Sequence, residues 1–518
     1  MLASLGISLI ATPQPPATAW TIAGSDAGGG AGIQADLKTF ESLGVHGCSA
    51  ITALTAQNSR EVRMVEYPSR AFLRTTLEAL RDDLPAAAIK LGMLGSKDVI
   101  DEVATFLANE SNSCRNVAVV CDPVMVTTSG SRLLDEGATN SLVRTIFPRC
   151  AIVTPNLPEA EALLGGKALR TPADVEAAAA ELLKLGCDAV LIKGGHATSI
   201  DEATAQDFFV DGTSGFKCWL SSHRLDTPNT HGTGCTLSSA IAALLARGLP
   251  LLDAVVLAKA YVTNGIASST QLGAGPGPVQ HTGWPQSADA MPWISASAVD
   301  GASPPRFARC DVDEMSCVLP VVDTVELVKE VVAGGAAHVQ LRLKGMEPQE
   351  VKAAVEAAMA ACTAHGARLW VNDHWEVAMA AGAYGVHVGQ EDLEAMGLPA
   401  VRKLAESGLR LGISTHSYAE LATALGVRPS YISLGPVYAT QSKDVSRWEP
   451  QGLERVRHWR QLLPDDTPLV AIGGISLERA PGVLASGAQG IAVIGAITKA
   501  TDRSAALAAW TTPWASGQ

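Results

Sequence analysis

Eight strand-like runs recur through the second half of the chain, and Ala- and Leu-rich stretches separate most of them. The runs are CVLPVVD, HVQLRLK, RLWVND, GVHVG, RLGIST, YISLGPV, PLVAIGG and GIAVIG. Such alternation predicts a parallel sheet, because parallel neighbours need a crossover, usually a helix, between them. Eight βα units between residues 317 and 510 predict a compact (β/α)8 TIM barrel.

The first half alternates in the same way, which predicts an α/β domain over residues 19–285. Residues 286–316 are rich in Pro, Gly, Ser and Ala and have no sustained periodicity, so we predict a flexible linker there. We also predict a flexible N-terminus over residues 1–18 and a C-terminal tail over residues 511–518.

Composition excludes several classes of partner. The 518 residues include 39 Lys and Arg but 52 Asp and Glu, so nucleic acid and anionic membrane are poor partners for a net charge of −13. No apolar run has the length of a membrane span. The ten Cys have no CxxC pair or metal-ligand spacing, which favours reduced thiols. We therefore expect a cytoplasmic enzyme, or a plastid one in a photosynthetic source.

Charged side chains gather at the ends of the barrel runs, where barrel active sites lie. Gln340, Arg342 and Lys344 are two residues apart, so on a strand they share one face. Adjacent Arg and Lys side chains suit a phosphate-bearing ligand. The alternative interpretation is a solvated charge pair.

Two carboxylates follow neighbouring barrel strands. Asp373 ends the third run and Asp392 follows the fourth, so adjacent loops can bring them together. Such a pair beside the basic residues suits Mg²⁺ with a pyrophosphate. Alternatively, Asp392 caps the next helix. We interpret the flanking His374 and His416 as packing or hydrogen-bonding residues.

Two glycine-rich segments stand out in the first half. A strand enters a loop that contains four glycines between residues 28 and 32, and a Gly232-Thr-Gly234 turn precedes a long apolar helix. Glycine lets a ligand approach the backbone, and the free N–H groups of a helix start favour an anion. Cys235 lies at this start, where the pKa of a thiol tends to fall. The alternative is a small buried side chain that fills a gap.

Three further side chains lie at predicted strand ends. Asn156 and Glu159 follow one strand, and together they suit a magnesium ion with its waters. Lys193 ends another strand, where its cation could meet a phosphate. The alternatives are a helix cap for Glu159 and a solvated Lys193.

Residues 19–285 resemble the hydroxymethylpyrimidine kinase/phosphomethylpyrimidine kinase family, through GSDAGGGAGIQADLKTF, ITALTAQN, KLGML, DPVM, TPNLPEA, KGGH and NTHGTGCT. The resemblance implies a ribokinase-like three-layer α/β fold and ATP-dependent phosphorylation of the pyrimidine alcohol and then of its monophosphate. The implied catalytic residues are Cys235 as base, Lys193, Gly232 and Gly234. The implied pyrimidine-binding residues are Gly24, Asp36, Gln57, Met93 and Val124. Asn156 and Glu159 would serve Mg²⁺ and phosphate.

The second half, residues 317–510, resembles thiamine-phosphate synthase through QLRLK, NDHW, GVHVGQEDL, GISTHS, YISLGPVYATQSK and VAIGGIS. The resemblance implies that thiazole phosphate displaces pyrophosphate from the pyrimidine. The residues implied for the pyrimidine pyrophosphate are Gln340, Arg342, Lys344, Asn372, Ser414 and Lys443. Those implied for thiazole phosphate are Thr440, Ser442, Gly474, Ile494 and Gly495. Asp373 and Asp392 would bind Mg²⁺.

Three positions depart from the pattern of the synthase family. Leu343 stands where an acid is common, but it lies on the hidden face of the strand. Ser442 replaces a Thr and keeps the hydroxyl. Gly495 replaces a frequent Ser and keeps only its backbone N–H, so it is the departure expected to weaken phosphate binding.

Together the two resemblances imply successive steps of thiamine biosynthesis in one chain, with small-molecule substrates and a homo-oligomer as a further expectation. Three alternatives stay open. The kinase half could act on pyridoxal, the barrel could be a thiazole tautomerase, or one half could be a ligand-binding or regulatory domain.

Overall fold

The chain forms two compact units in a computed structural model. The described residues are 15–110, 117–125, 136–195, 203–298, 306–310, 318–440 and 448–515. The first unit comprises Met1–His196, Phe208–Phe216 and Leu225–Trp284. The second comprises Ala197–Asp207, Lys217–Arg224 and Pro285–Gln518.

The first unit is built on a mostly parallel sheet. Its strands are β1 (Thr18–Asp26), β2 (His46–Gln57), β3 (Val62–Glu66), β4 (Ala88–Leu91), β5 (Ala118–Cys121), β6 (Ile152–Val153), β7 (Ala189–Lys193) and the part of β8 (Thr204–Asp211) from Phe208 onward. Their order is β8-β7-β6-β5-β4-β1-β2-β3. Neighbouring strands in the series β2-β1-β4-β5-β6-β7 pair in parallel, and β3 is antiparallel to β2.

Helices cover this sheet. They are α1 (Gly32–Ser42), α2 (Arg70–Asp83), α3 (Lys97–Glu110), α4 (Glu136–Ser141), α5 (Leu157–Leu163), α6 (Pro172–Leu183), α7 (Thr233–Ala246) and α8 (Leu251–Ala267). Strand order proceeds in both directions from β1, so right-handed crossovers place helices on both faces of the sheet. The predicted three-layer α/β architecture is confirmed. Helix α7 packs on α1 and is almost entirely apolar, which explains why its residues from Thr236 to Leu244 are buried.

The second unit contains a closed parallel barrel whose strands follow chain order. They are β11 (Val318–Val322), β12 (His338–Leu341), β13 (Arg368–Asn372), β14 (Gly385–Val388), β15 (Arg410–Thr415), β16 (Tyr431–Leu434), β17 (Leu469–Ile472) and β18 (Gly490–Val493). Pairing of β18 with β11 closes the ring. All eight predicted strands and the barrel are confirmed.

The barrel is surrounded by helices and filled by side chains. The helices are α9 (Val325–Ala333), α10 (Pro348–His365), α11 (Trp375–Ala381), α12 (Gln390–Glu406), α13 (Tyr418–Val427), α14 (Gly452–Leu462), α15 (Ala480–Ala485), α16 (Gly495–Thr498) and α17 (Arg503–Ala515). Core side chains from different strands meet inside the barrel, among them Leu319, Trp370, Tyr431 and Val470. This packed interior leaves the strand ends as the place for a site.

The segment predicted to be a flexible linker is partly ordered. A 3-10 turn (Ala288–Ala290) precedes a short strand, β10 (Trp293–Ser295), which pairs antiparallel with β9 (Lys217–His223) within the second unit. The apolar side chain of Ile294 is buried in this strand. The high Pro and Gly content of the segment led us to predict a flexible linker there. Helix α17 runs to residue 515, so the expectation of a tail from residue 511 is also wrong for its first residues.

Across the ranges given above, no helix is both long enough and apolar enough to span a bilayer.

Candidate active sites

Four residues predicted to line a pyrimidine pocket lie along one edge of the first sheet. Gly24 is near the end of β1, Gln57 ends β2, and Met93 and Val124 follow β4 and β5. These strands are neighbours in the order β2-β1-β4-β5, so their carboxyl ends meet. A Cβ on Gly24 would lie 3.2 Å from Met93 Sδ, so glycine keeps this wall open.

The fifth predicted residue, Asp36, has a different place. It is completely buried and accepts hydrogen bonds from Thr21 Oγ1 at 2.6 Å and from Ser239 Oγ at 2.6 Å. Lys90 Nζ lies 2.9 and 2.8 Å from its two carboxylate oxygens. Asp36 is therefore an internal partner of Lys90 and not an exposed wall of the pocket. Sequence reasoning missed Lys90, although a lysine inside the apolar run AIKLGML was the available signal.

The glycine-rich loop is held by Asp26, which sequence reasoning also missed. Its carboxylate accepts the N–H groups of Gly28, Gly30 and Ala31 at 2.8, 3.1 and 2.9 Å. His231 Nε2 lies 3.1 Å from the same carboxylate. Burial opposes ionisation, but the hydrogen bonds from His231 and the loop amides outweigh it and lower the pKa of Asp26. An ionised Asp26 thus ties the loop to the segment before α7.

The turn before α7 requires glycine. Gly232 is the N-cap of α7 with φ +82°, and a Cβ there would lie 1.9 Å from the carbonyl oxygen of Gly30. A side chain would force the turn away from the glycine-rich loop. Thr233 N–H donates to the Thr230 carbonyl at 3.3 Å, and the N–H groups that follow at this helix start are the kind of donors that bind an anion.

Cys235 lies in the first turn of α7 and is half-buried. Burial raises the pKa of its thiol to about 11, although Lys90 and the Gly32 N–H act in the opposite direction. The expectation of a lowered thiol pKa is therefore wrong, because loss of solvent outweighs the helix start. At neutral pH the resting thiol keeps its proton.

Lys193 is not solvated. Its Nζ lies 2.7 Å from Asp122 Oδ1, and a Cβ on Gly234 would come within 3.2 Å of Lys193 Nζ and 3.3 Å of Asp122 Oδ2. The ion pair thus lies directly beside the glycine turn. Burial opposes the charge of Lys193, but Asp122 and Glu159 outweigh it and raise the pKa of the ammonium group.

Asn156 and Glu159 form a capping box at the start of α5. Asn156 Oδ1 accepts the Glu159 N–H at 2.9 Å, and Glu159 Oε2 accepts the Asn156 N–H at 2.8 Å. The alternative interpretation of Glu159 as a helix cap is confirmed. Burial, followed by repulsion from Asp122, raises the pKa of the Glu159 carboxyl to about 7. Its role toward a metal stays a prediction.

Two neighbouring cavities lie at the carboxyl ends of the barrel strands. The first has a volume of about 330 Å³, and its polar lining includes Gln340, Arg342, Lys344, Asn372, Asp373, Asp392 and Ser414. The second has a volume of about 300 Å³, and it is lined in part by Thr440, Gly474, Ile494, Gly495 and Lys499. Four residues, Ser414, His416, Ser433 and Ile472, line both. The predicted residues in the described ranges therefore divide between the cavities as the resemblance implies, whereas Ser442 and Lys443 lie outside those ranges.

Basic side chains and side-chain amides line the first cavity. Gln340 Nε2 donates to Asn372 Oδ1 at 2.7 Å, which orients both amides. Lys344 Nζ lies 2.5 Å from Asp373 Oδ2, and Leu343 is buried behind this face, as predicted. Arg342 lines the same cavity.

The two carboxylates predicted to bind Mg²⁺ lie close together. Burial raises the pKa of Asp392, and repulsion and a hydrogen bond from Asp373 add to this effect. Asp373 also has a φ of +64°, an unusual backbone conformation for a residue other than glycine. Two adjacent carboxylates whose mutual repulsion a cation would relieve suit a divalent ion, so these residues fit Mg²⁺.

Beneath the cavities, a buried histidine connects two strands. His387 Nδ1 lies 2.7 Å from the Tyr431 hydroxyl, and its Nε2 lies 2.8 Å from Ser414 Oγ. Sequence reasoning missed His387, although alternation within GVHVG was a signal that it points inward. The prediction for His416 is confirmed: it lies 2.9 Å from Glu420 and stacks on Trp448 at 4.7 Å.

The second cavity has a cation that sequence reasoning also missed. Lys499 follows Gly495 by four residues and lines the cavity with it. Residues four apart on a helix are neighbours, so the segment GAITK was the available signal that this lysine lies beside Gly495.

A layered α/β domain with a glycine-turn anion site, followed by a barrel with a paired-carboxylate site, defines a two-domain enzyme of the ribokinase-like and TIM-barrel classes. Two family models match it: phosphomethylpyrimidine kinase over residues 26–280 and thiamine monophosphate synthase over residues 312–497. The chain belongs to the family of bifunctional thiamine biosynthetic enzymes.

Full-length relatives support this assignment. A probable thiamine biosynthetic bifunctional enzyme, chloroplastic, from Oryza sativa is 37% identical over 495 residues, 92% of this chain and 85% of the relative. A chloroplastic thiamine biosynthetic bifunctional enzyme from Arabidopsis thaliana is 35% identical over 497 residues, 92% of this chain and 89% of the relative. A solved pyridoxal kinase of Bacillus subtilis in an ADP complex is 35% identical and covers 52% of this chain and 98% of its own, with a TM-score of 0.46.

Proposed function

We propose that the first unit phosphorylates 4-amino-5-hydroxymethyl-2-methylpyrimidine and then its monophosphate with ATP, and that the barrel joins the resulting pyrophosphate to thiazole phosphate. The products are thiamine phosphate and pyrophosphate. The observation that carries the first activity is the glycine turn that places Cys235 beside the Lys193–Asp122 ion pair. The observation that carries the second activity is a pair of cavities that both include Ser414 in their lining. One of these cavities is also lined by two neighbouring carboxylates and by cationic side chains.

In the first unit, the pyrimidine would lie against Gln57 and Met93, with its CH2OH group toward Cys235. The hydroxyl oxygen forms a bond to the γ-phosphorus of ATP as the bond from that phosphorus to the β,γ-bridging oxygen breaks. The Cys235 thiol first loses its proton to solvent, and the resulting thiolate takes the proton of the substrate hydroxyl. Amides of the glycine turn and the Lys193 ammonium stabilise the charge on the phosphoryl group.

In the barrel, Arg342 and Lys344 would hold the pyrophosphate of the activated pyrimidine. The bond between the CH2 carbon and the pyrophosphate oxygen breaks, and a bond from the thiazole nitrogen to this carbon forms. Because no proton has to move in this step, the site needs charge stabilisation and not a base. Thr440 and the amides near Gly474 and Gly495 would hold the phosphate of the thiazole.

Asp373 and Asp392 would hold Mg²⁺ in the barrel, and Asn156 and Glu159 would serve a hydrated Mg²⁺ in the kinase. Bound Mg²⁺ would neutralise part of the charge of the phosphate groups. The carboxylates of this chain would determine the position of the metal charge. Lys344 holds Asp373 in position through its ion pair.

A reducing compartment is part of the proposal. All eight cysteines in the described ranges are free, and all of them except Cys235 are buried. A homo-oligomer stays a prediction, which light scattering of the purified chain would test.

A single incubation tests both activities. The full-length protein is mixed with the pyrimidine alcohol, MgATP and thiazole phosphate, and thiamine phosphate is measured by mass spectrometry. We expect it to form. Accumulation of the pyrimidine pyrophosphate alone would mean that the barrel is a ligand-binding domain. Consumption of pyridoxal in place of the pyrimidine would refute the kinase assignment.

A further inference from the structure

Lys90 is a buried charge that the proposed reaction does not use. It has no exposed surface, and its ammonium group is bound by both carboxylate oxygens of Asp36. Burial disfavours the charge of Lys90, but Asp36 outweighs burial and raises the pKa of Lys90, so the ammonium group keeps its proton. Two charges in a protein interior lose their hydration, and a pair of apolar residues is often at least as stable. The pair therefore calls for a role other than stability.

The geometry of two helices places this pair beneath Cys235. On α7, Ser239 follows Cys235 by four residues, so the two side chains lie on one face, a turn apart. On α1, Asp36 follows Gly32 by four residues in the same way. Helices α1 and α7 pack on each other, and one turn beyond Cys235 the Ser239 hydroxyl donates to Asp36 at 2.6 Å. The faces of the two helices that carry Cys235 and Asp36 are thus in contact.

Lys90 reaches this contact from β4. A Cβ at Gly92, two residues further on, would lie 2.7 Å from Lys90 Nζ. The ammonium group therefore lies directly under the strand end that leads to the pocket residue Met93. It interacts electrostatically with Cys235 as well as with Asp36.

Four charged groups surround the Cys235 thiol. Lys90 comes from β4, Asp36 from α1, Asp122 from the end of β5 and Lys193 from the end of β7. Lys193 is paired with Asp122 at 2.7 Å, which offsets the charge of both. Lys90 is the cation with the largest effect in favour of the ionised sulfur.

We propose that Lys90, held by Asp36, is a positioning residue that stabilises the thiolate form of Cys235 for phosphoryl transfer. The S–H bond breaks and its proton passes to solvent. The thiolate then takes the proton of the substrate hydroxyl as the new O–P bond forms, which restores the thiol. The proposal rests on the proposed kinase function, but its test needs no substrate.

The test measures how fast iodoacetamide alkylates Cys235 as a function of pH, with the Cys235 peptide quantified by mass spectrometry. In the double variant K90M/D36N both charges are removed and no unpaired charge is left behind. We expect the midpoint of alkylation to move upward by about one pH unit. In D36N alone the Lys90 cation is no longer balanced, so the midpoint should move downward.

The matched control is S239A, which removes a neutral donor to Asp36 and keeps both charges. Its midpoint should stay close to that of the parent protein. A shift in S239A as large as in K90M/D36N would show that packing and not charge controls the thiol, and would overturn the proposal. Unchanged midpoints in both K90M/D36N and D36N would overturn it too. If K90M/D36N does not fold by circular dichroism, D36N decides alone.

Kinase assays give a second readout. The pH profile of kcat/KM for the pyrimidine should move in the same direction as the alkylation midpoint in each variant, while KM for MgATP stays constant. If the chain phosphorylated no pyrimidine at all, the alkylation result would still hold. Failure of the proposed function and failure of this inference are thus distinguishable.

Discussion

The two candidate sites use charge in opposite ways. In the first unit the ion pairs Lys90–Asp36 and Lys193–Asp122 are largely buried and flank a thiol. In the barrel Lys344 is exposed at the mouth of an open cavity. A proton-transfer step needs a controlled proton affinity, which a dry and charged interior provides. Departure of a pyrophosphate needs cations that a large anion can reach. The charges of the two sites therefore differ in burial because the two proposed reactions differ, one a proton transfer and the other the departure of pyrophosphate.

The largest expected effect is a loss of the kinase activity that leaves the barrel activity unchanged. Replacing Cys235 with Ala removes the proposed general base, so pyrimidine phosphorylation should fall by about 100- to 10,000-fold. ADP release measures this step. Thiamine phosphate formed from supplied pyrimidine pyrophosphate and thiazole phosphate should stay constant. A loss of both activities would mean that the sites are not independent.

The corresponding change in the barrel is Asp392→Asn. Loss of this carboxylate, a proposed Mg²⁺ ligand, should lower thiamine phosphate formation by about 100-fold or more and leave ADP release unchanged. Raised Mg²⁺ should recover part of the activity.

Stability should respond differently from activity in this variant. Burial and Asp373 raise the pKa of Asp392, so its charged form is disfavoured in the metal-free native state. The neutral Asn removes that repulsion, and the Tm without Mg²⁺ at neutral pH should not fall. A lower Tm would indicate that Asp392 has a structural role, such as the predicted helix cap.

A smaller effect is expected in the second cavity. Lys499→Met should raise KM for thiazole phosphate by about 10-fold with kcat little changed, because a charged donor to the phosphate is lost. Gly495→Ser is the matched variant that should strengthen phosphate binding. Gly495 does not have a positive φ, so a serine can add a hydroxyl without backbone strain and should lower the same KM. Steady-state kinetics of the barrel reaction measure both, and an unchanged KM in both would place the phosphate elsewhere.

The smallest effect concerns the stability of the first unit. Burial lowers the pKa of His281 to about 4, and its Nδ1 lies 3.0 Å from the Tyr261 hydroxyl. Below pH 6.5 the unfolded chain binds a proton that the native state does not, so stability falls from pH 6.5 to pH 4. His281→Asn keeps a polar atom near Nδ1 and should remove about 1–2 kcal/mol of this pH dependence, with allowance for partial exposure.

Urea unfolding of the parent and of H281N at pH 7.5 and pH 5 measures this effect. The variant should lose less stability than the parent between the two pH values. An equal loss would show that another group is responsible for the acid sensitivity.

The sequence predicted most of the barrel site because strand ends are local features. Gln340, Arg342 and Asn372 lie at or near the carboxyl ends of β12 and β13, and a closed barrel brings all such ends to one rim. His387 and Lys499 were missed for different reasons. His387 is inside a strand where an apolar residue is usual, and Lys499 is in a short helix that the pattern does not mark as part of a cavity.

The first unit was predicted less completely. Gly24, Gln57 and Met93 share an edge because of the strand order, as expected. Asp36 and Cys235 were predicted from their neighbours in sequence, whereas their properties come from residues far along the chain. Lys90 is 54 residues from Asp36, and Ser239 is 203 residues away. No local pattern encodes either contact.

The sequence by itself determined two α/β domains, their strands, the glycine turn and the family of enzymes. These depend on periodicity and on residue types in short segments, which local backbone preferences and apolar burial translate directly into structure. Tertiary structure alone decided that Asp36 is an internal counter-ion, that the Cys235 thiol resists ionisation and that burial and Asp373 raise the pKa of Asp392. Proton affinity depends on loss of solvent and on charges brought together by folding, and neither can be read from neighbouring residues.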